Sequence, residues 1–359
     1  MAGLVTRRLV FIVPGRLETR TGGYEYDRRI VSGLRALGWR VEVLELAGSF
    51  PRPSAADLER AAHALAAIAD GSLVVVDGLA LSAMPDQADA EAERLRLVAL
   101  VHMPLAAEVG LDAETVGRFD ASERRALAAV ARVVVTGRAT IAAMRRHGLP
   151  VDSIALVEPG TERAPLARGS RGDAGLPVEL LSVATISVGK GHDVLFRALA
   201  SMGTPRWRLT CVGSLDRDRE TVERLGATAA ALGIAGRVSL VGEQHGEALE
   251  ASWDRADVFV LATLGETYGM AVAEALAHGL PVVSTATGAI AELVGSDAGI
   301  VVPPGDAGAL ADALSRVVGD RRERERLTAG ARRVRDGLPT WEAASGRMAT
   351  VLETVATRG

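Results

Sequence analysis

Short apolar runs alternate with amphipathic stretches along almost the whole chain. Each run is rich in Val, Leu and Ile and has the length of a buried parallel strand, whereas the stretches between them follow the 3.6-residue period of a helix. This alternation is typical of βαβ units and predicts parallel sheets covered by helices. The predicted strands are residues 9–13, 41–46, 73–77, 97–102, 132–136, 179–184, 207–212, 238–241, 258–262, 281–284 and 299–302.

The helical stretches fill the intervals between these strands. They are predicted at about 27–37, 55–69, 85–95, 113–130, 139–147, 192–201, 216–232, 246–255, 270–277, 307–318, 320–336 and 341–355.

The alternation stops once, at residues 158–177, where turn-forming residues are frequent. We interpret this segment as an interdomain linker, because the strand pattern starts again after it and because 359 residues fit two domains. The expected architecture is α/β, with Rossmann-like domains at 1–165 and 175–338 that face each other across a cleft at the carboxyl ends of their strands.

Composition narrows the class of protein. The formal net charge is −4, so there is no basic excess to favour nucleic acid as the main partner. No apolar stretch reaches membrane-spanning length and the start lacks a signal-peptide pattern, which predicts a cytoplasmic protein. Arg pairs such as Arg28-Arg29 are interpreted as solvated helix faces, with weak peripheral contact to an anionic membrane as the alternative. The single cysteine, Cys211, lies in an apolar run and is expected to be inert.

Two carboxylates, Glu266 and Glu274, flank the predicted start of a helix at Met270. A helix start offers unpaired backbone N–H groups and the positive end of a dipole, which suits a phosphate. A nucleotide with its phosphates at this helix start could present a sugar to one carboxylate and its ribose to the other, each accepting hydrogen bonds from hydroxyls. The simpler alternatives are a helix N-terminal charge at Glu266 and a solvent-facing Glu274.

Lysine occurs once among 41 basic residues, as Lys190. A compact ammonium serves a phosphate as a point charge, unlike the planar guanidinium that is common elsewhere in this chain. Lys190 lies between a predicted strand and a predicted helix, where ligands bind in α/β sheets. We therefore interpret it as a phosphate-binding residue, with chance in an Arg-rich composition as the alternative.

Four motifs in this order resemble the retaining GT-B glycosyltransferases of family 4, most strongly over residues 179–318 and more weakly over 1–160. The motifs are Gly22-Gly23 after the first strand, His102 at a strand end, the loop at 190–193, and the segment 266–288. Taken alone, Gly22-Gly23 could be only a turn and His102 a core or capping histidine.

The resemblance implies a role for each motif. Glu274 would bind the ribose, the backbone around Gly269 would hold the diphosphate, and Glu266 would contact the hydroxyls of the donor sugar. The implied catalytic residues are Glu266, His102 and Lys190. The residues implied to bind the donor are Gly22, Gly23, Thr185, Lys190, Gly213, Tyr268, Gly269, Met270 and Glu274.

The resemblance also implies the reaction and its partners. Similar enzymes transfer a sugar from a nucleoside diphosphate, most often UDP, with retention of configuration, and GDP and ADP remain open for this chain. The leaving phosphate would help to deprotonate the acceptor hydroxyl, so neither a metal nor another cofactor is expected. The acceptor is unidentified and would bind the first domain, to which a final helix at about 341–357 would return.

One position departs from the family pattern. The family usually places an Arg five residues before the Lys, whereas this chain has Thr185. A non-catalytic binder of sugar nucleotides therefore remains an alternative, as does a sugar-nucleotide epimerase on the same scaffold.

Two other acidic motifs are interpreted as structural. Asp77 ends a strand and could touch the acceptor, but an aspartate of an ordinary βα turn is as good an interpretation. Asp216-Arg217-Asp218 has the form of a metal-binding Asp-x-Asp motif, yet it lies at an Arg-rich helix start and is interpreted as surface charge.

Overall fold

A computed structural model describes residues 7–170, 176–203 and 206–357 of the chain. The chain divides into two compact units. The first comprises Met1–Gly160 together with Pro339–Gly359, and the second comprises Thr161–Leu338.

The first unit is built on a six-stranded sheet with the order β2-β1-β3-β4-β5-β6. All of its strand pairs are parallel. The strands are β1 (Arg8–Pro14), β2 (Arg40–Leu46), β3 (Leu73–Asp77), β4 (Arg96–Val101), β5 (Arg132–Val135) and β6 (Ile154–Leu156), and the helices between them are α1 (Gly22–Ala36), α2 (Ala55–Ala66), α3 (Gly78–Leu81), α4 (Pro85–Glu91), α5 (Ala113–Ala128) and α6 (Arg138–Arg146).

The second unit has a six-stranded parallel sheet with the order β12-β11-β10-β7-β8-β9. Its strands are β7 (Val178–Val183), β8 (Trp207–Val212), β9 (Val238–Leu240), β10 (Val258–Leu261), β11 (Val282–Thr285) and β12 (Gly299–Val302), and its helices are α7 (His192–Ser201), α8 (Arg219–Ala231), α9 (Glu247–Arg255), α10 (Met270–Ala277), α11 (Ile290–Val294), α12 (Ala307–Gly319) and α13 (Arg321–Val334).

Both faces of the second sheet are buried, which explains why its strands are continuous apolar runs. In β10, Val258 and Val260 pack into one apolar cluster, whereas Phe259 and Leu261 pack into the cluster on the opposite face. Parallel strands covered by helices on both sides require this composition. The α/β class predicted from the alternation is confirmed.

The last helix, α14 (Trp341–Thr357), packs in the first unit against α1. A Cβ on Gly33 of α1 would lie 1.9 Å from Ser345 Oγ, so glycine permits the close approach of the two helices. The Trp341 ring meets the edge of the Tyr26 ring at a centroid distance of 5.8 Å. The first unit is thus closed by residues from the far end of the chain.

Three details differ from the predicted elements. Helix α1 begins at Gly22 rather than near Asp27, because the first turn of a helix needs few backbone partners and tolerates glycine. Strand β6 was not predicted, since three half-buried residues carry no readable period. The short helices α3 and α11 were also not predicted. In the described part of the chain, no helix combines the length and apolar character needed to cross a bilayer.

Candidate functional site

The candidate site of the second unit lies where the strand order reverses. Strand β7 lies between β8 and β10, so the chain proceeds toward one edge of the sheet from β7 and toward the other from β10. Open α/β sheets bind ligands at such a switch point, outside the carboxyl ends of the strands. The loop after β7 carries Lys190 and the loop after β10 carries Glu266.

The loop that carries Lys190 is held tightly against the end of β10. Gly191 has a φ of +63°, and a Cβ there would lie 2.1 Å from the carbonyl oxygen of Ala262. The N–H of Leu264 donates to the carbonyl oxygen of Gly189 at 2.8 Å. Burial, together with the Lys190 charge, lowers the pKa of His192 to about 4, so His192 is neutral at physiological pH. Lys190 is then the only cation in the segment 184–193.

Lys190 and Glu266 form an ion pair, with Nζ and Oε2 2.6 Å apart. Their side chains are 28% and 19% exposed, so solvent reaches both. The sequence predicted both residues for one site, with Lys190 on phosphate and Glu266 on sugar hydroxyls. The structure brings the two charges into direct contact with each other.

The start of α10 forms the other wall of this site. Gly269, the residue before the helix, has a φ of +97° and offers no side-chain cap to the first N–H groups. Gly288 packs against the preceding loop, where a Cβ would lie 2.4 Å from the carbonyl oxygen of Glu266. No side chain of the residue before the helix therefore caps the first N–H groups of α10, as a helix start that binds an anion requires.

Other residues predicted to bind the donor lie around this centre. Glu274 and Met270 are half-buried on α10, whereas the Tyr268 ring is buried against Ala273 and Ala289. Only the backbone of Tyr268 is therefore available to a ligand.

Gly213, after β8, approaches the end of β7 closely. A Cβ there would lie 1.8 Å from the carbonyl oxygen of Ala184 and 3.2 Å from Cα of Thr185. Thr185 is half-buried in this loop. It takes the position at which the family 4 glycosyltransferases usually have an Arg.

Asp216-Arg217-Asp218 has two different roles. Asp216 is exposed and pairs with Arg219, as expected for surface charge. Asp218 caps α8 by accepting a hydrogen bond from the N–H of Thr221 at 3.0 Å, a role that the sequence interpretation did not include.

The candidate site of the first unit centres on His102, which directly follows β4. Its Nε2 lies 3.0 Å from Oδ1 of Asp27 on α1 and 3.4 Å from Oδ2 of Asp77 at the end of β3. Strands β1 and β3 flank the switch point of this sheet, so this site occupies the position equivalent to that of the second unit. Asp77 also caps α3, accepting a hydrogen bond from the N–H of Leu79 at 2.7 Å.

The electrostatics of this triad favour a protonated His102. Burial lowers the pKa of His102, but Asp27 and Asp77 outweigh burial and raise it to about 10. Burial raises the pKa of Asp27 to about 7, against the lowering effect of His102. One ligand atom from each of the three residues lies within 4.8 Å of the others, the spacing of a metal site. We interpret the triad as hydrogen-bonded, because His102 Nε2 lies 3.0 Å from Asp27 Oδ1 and 3.4 Å from Asp77 Oδ2.

Gly22 and Gly23 lie in the first turn of α1, beside this triad. A Cβ on Gly23 would lie 3.3 Å from Cδ2 of His102, so glycine lets the helix start lie against the imidazole. The Tyr26 ring meets the imidazole edge-on at a centroid distance of 5.2 Å.

Asp27 was missed in the sequence, although a signal was present. It lies on the buried face of α1 with Ile30, Val31 and Leu34, at the spacing of an apolar stripe. A carboxylate in such a stripe needs a polar partner.

Comparison with solved structures identifies the fold of the chain. Sucrose-phosphate synthase from Thermosynechococcus elongatus matches with a TM-score of 0.83 at 20% identity, covering 98% of this chain and 100% of that chain. Anabaena HepE in complex with UDP-glucose matches with a TM-score of 0.75 at 17% identity, covering 97% and 99%. The chain has the GT-B fold, as the resemblance implied.

Sequence comparison relates part of the chain to a known family. Residues 177–320 match the family model described as Glycosyl transferases group 1. The D-inositol 3-phosphate glycosyltransferase of Xylanimonas cellulosilytica is 32% identical over 234 residues, which are 61% of this chain and 56% of that protein. The putative colanic acid biosynthesis glycosyltransferase WcaL of Salmonella typhimurium is 31% identical over 183 residues, 48% of this chain and 44% of that protein.

The match to the glycosyl transferases group 1 model lies in the second unit of the chain. The chain spans about half the length of the curated relatives that it matches.

Proposed function

We propose that this protein is a retaining glycosyltransferase that moves a sugar from a nucleoside diphosphate, with UDP as the best candidate, to an acceptor hydroxyl without a metal. The observation that carries the proposal is the Lys190–Glu266 pair in the loops before the uncapped start of α10, at the switch point of the unit that matches the glycosyl transferases group 1 model. The structurally similar Anabaena HepE was solved in complex with UDP-glucose, which supports UDP as the donor nucleotide.

The donor binds the second unit through its diphosphate. Lys190 and the first N–H groups of α10 neutralise the phosphate oxygens, because a point charge and a helix dipole both favour an anion. Glu274 accepts hydrogen bonds from the ribose hydroxyls and Glu266 from hydroxyls of the sugar.

The reaction breaks the bond between C1 of the sugar and the phosphate oxygen and forms a bond from C1 to the acceptor oxygen on the same face. The proton of the acceptor hydroxyl passes to the leaving phosphate oxygen, so no protein base is required. Negative charge grows on that phosphate as the bond breaks, and Lys190 with the N–H groups of α10 stabilises it.

His102 supplies a hydrogen-bond donor from the first unit. Its protonated imidazole, held by Asp27 and Asp77, positions a hydroxyl of the donor sugar. We assign the acceptor to the same unit, around residues 14–26, 77–84 and 102–110.

Calorimetric titration in EDTA with UDP, GDP and ADP tests the donor assignment. UDP should bind selectively, and Glu274→Ala should abolish this binding, whereas Asp312→Ala, an exposed change on α12, should leave it intact. Incubation with UDP-sugars and sugar acceptors should then release UDP and give a product of retained anomeric configuration by NMR. Failure to bind any of the three nucleotides would contradict the proposal.

A non-catalytic sugar-nucleotide binder is the second candidate, and Thr185 in place of the family's Arg favours it. The same titrations separate the two. The non-catalytic binder would be supported if the nucleotide binds selectively but neither sugar transfer nor slow hydrolysis of the donor is detected with a broad panel of acceptors.

A further inference from the structure

A second buried acidic group lies outside the sites described above. Glu123 on α5 is 1% exposed, and its carboxylate accepts three hydrogen bonds. Oε1 accepts from Ser82 Oγ at 3.1 Å and from the N–H of Leu105 at 3.3 Å. Oε2 lies 3.1 Å from Nε2 of His147, the residue that ends α6.

Burying a carboxylate at this position costs desolvation free energy, which an apolar side chain of similar size would not. Burial raises the pKa of Glu123, against the lowering effect of its hydrogen bonds. Well-packed apolar residues often replace buried ionic groups with no loss of stability, so stability alone does not account for the carboxylate. Its partners indicate what it does instead.

Two of those partners lie on the segments that follow Asp77 and His102, two members of the triad in the first unit. Ser82 ends the short helix α3, which Asp77 caps, and Leu105 lies three residues after His102. The neighbouring Ser122 Oγ donates to the carbonyl oxygen of Ser82 at 2.6 Å. One turn of α5 therefore fastens the segments that follow both β3 and β4.

We infer that Glu123 is a positioning residue for His102, because it fixes the segments that leave Asp77 and His102 at their 3.4 Å separation. The inference rests on the proposed function, in which the His102 imidazole orients the donor sugar. Glu123 touches neither His102 nor substrate, and it acts through the backbone at 103–105 and the end of α3.

Three variants test this role. Glu123→Leu removes both hydrogen-bond acceptors while keeping the volume similar, and Glu123→Gln removes the charge but keeps one acceptor oxygen for Ser82 and Leu105. Glu114→Gln, an exposed change in the first turn of α5, is the control. Since Leu and Gln both lack the charge, a difference between them reports on the hydrogen bonds.

Two measurements are made on each variant. The first is the NMR titration of the His102 imidazole, assigned by comparison with His102→Gln. The second is kcat and KM for transfer from the UDP-sugar. In Glu123→Leu we expect a shifted His102 titration and a kcat lower by about 10²-fold with a nearly unchanged KM for the donor, since a misplaced group loses catalysis more than binding. Glu123→Gln should recover most of the activity.

An unchanged His102 titration in a folded Glu123→Leu protein would overturn the inference, whether or not transfer is detected. If Glu123→Leu does not fold, Ser82→Ala decides, because it removes the donor to Glu123 Oε1 and leaves Glu123 in place. A shifted His102 titration with a kcat below that of the Glu114→Gln control supports the inference, and a titration and a kcat equal to those of the control overturn it. Absence of transfer in the wild-type protein would count against the proposed function, and the NMR titration would still decide the positioning role.

Discussion

Before any substrate arrives, the nearest opposite charge to Lys190 is Glu266. A donor diphosphate that binds Lys190 must therefore compete with Glu266 for its ammonium group. The donor sugar must likewise compete with Lys190 for the Glu266 carboxylate. An ion pair that solvent reaches is weak, so a bound donor can replace it with little loss. The pair thus holds both side chains near the positions in which the proposed reaction uses them.

Glu266→Gln should separate these two roles. The variant should bind UDP about threefold more tightly, because Lys190 is no longer neutralised by a carboxylate. Its turnover should fall by about 10²-fold or more, because the sugar loses a charged acceptor. Calorimetry with UDP and steady-state transfer rates measure the two effects, and Asp216→Asn in an exposed ion pair is the control. Weaker UDP binding in Glu266→Gln would show that the pair does not compete with phosphate.

Asp27 should set the protonation state of His102. In the wild-type protein the His102 pKa of about 10 lies above its ordinary value of 6.5. The stability that this charge contributes is present below about pH 6.5 and is lost as pH rises through about 10. In Asp27→Asn the main carboxylate partner is gone and burial lowers the His102 pKa, so the imidazole should be neutral at pH 8. NMR titration of His102 checks this, with Asp89→Asn as the control, and a histidine still protonated at pH 8 would contradict it.

In the second unit, the backbone of two loops packs closely against the residues that follow neighbouring strands. Gly213 and Gly191 each lie against a neighbouring carbonyl oxygen, where no Cβ fits. These contacts bring the loops after β7, β8 and β10 together, and so bring Lys190 to Glu266.

Gly213→Ala should destabilise the second unit by about 2 kcal/mol, since its Cβ cannot be placed without moving β7 and overpacking costs about 1–3 kcal/mol. Gly226→Ala is the matched control, because it lies exposed within α8 with open space around its Cβ. That change should stabilise by up to about 1 kcal/mol through helix propensity. Chemical unfolding curves compare the two, and equal effects would rule out the steric explanation.

The strands and helices could largely be predicted from the sequence, because buried parallel strands consist of continuous runs of apolar residues. All strands but β6 and most helices were recognised, since their periods extend over enough residues. The sequence predicted that Lys190 and Glu266 belong to one site but not that they contact each other, because the pairing of β7 with β10 depends on the order of strands in the sheet. The hydrogen bonds of Asp27 and Glu123 depend on tertiary contacts between distant residues, which no local period encodes.

At the scale of the whole molecule, the first unit is discontinuous in sequence. Helix α14 follows the entire second unit, yet its buried face, including Met348, packs in the first. Arg7 near the beginning of the chain pairs with Glu353 near its end at 2.7 Å.

Met348→Asp should therefore unfold the first unit selectively. A buried unpaired carboxylate costs about 3 kcal/mol or more, and it should loosen α14 from α1. Hydrogen exchange should show lost protection in α1 and the first sheet, with β7 and β10 still protected. Thr350→Asp on the exposed side of α14 is the control and should leave both units protected. Equal loss of protection in the two sheets would mean that the units do not unfold separately.

Because lysine occurs once in this sequence, its one side-chain primary amine is also the one in the proposed phosphate site. A fluorophore or acyl group coupled through an amine-selective reagent would attach at Lys190, with the α-amino group as its only rival in this sequence. A single reporter group could thus be attached to this protein without an engineered residue. The degree to which a ligand protects Lys190 from the reagent would measure the occupancy of the proposed phosphate site.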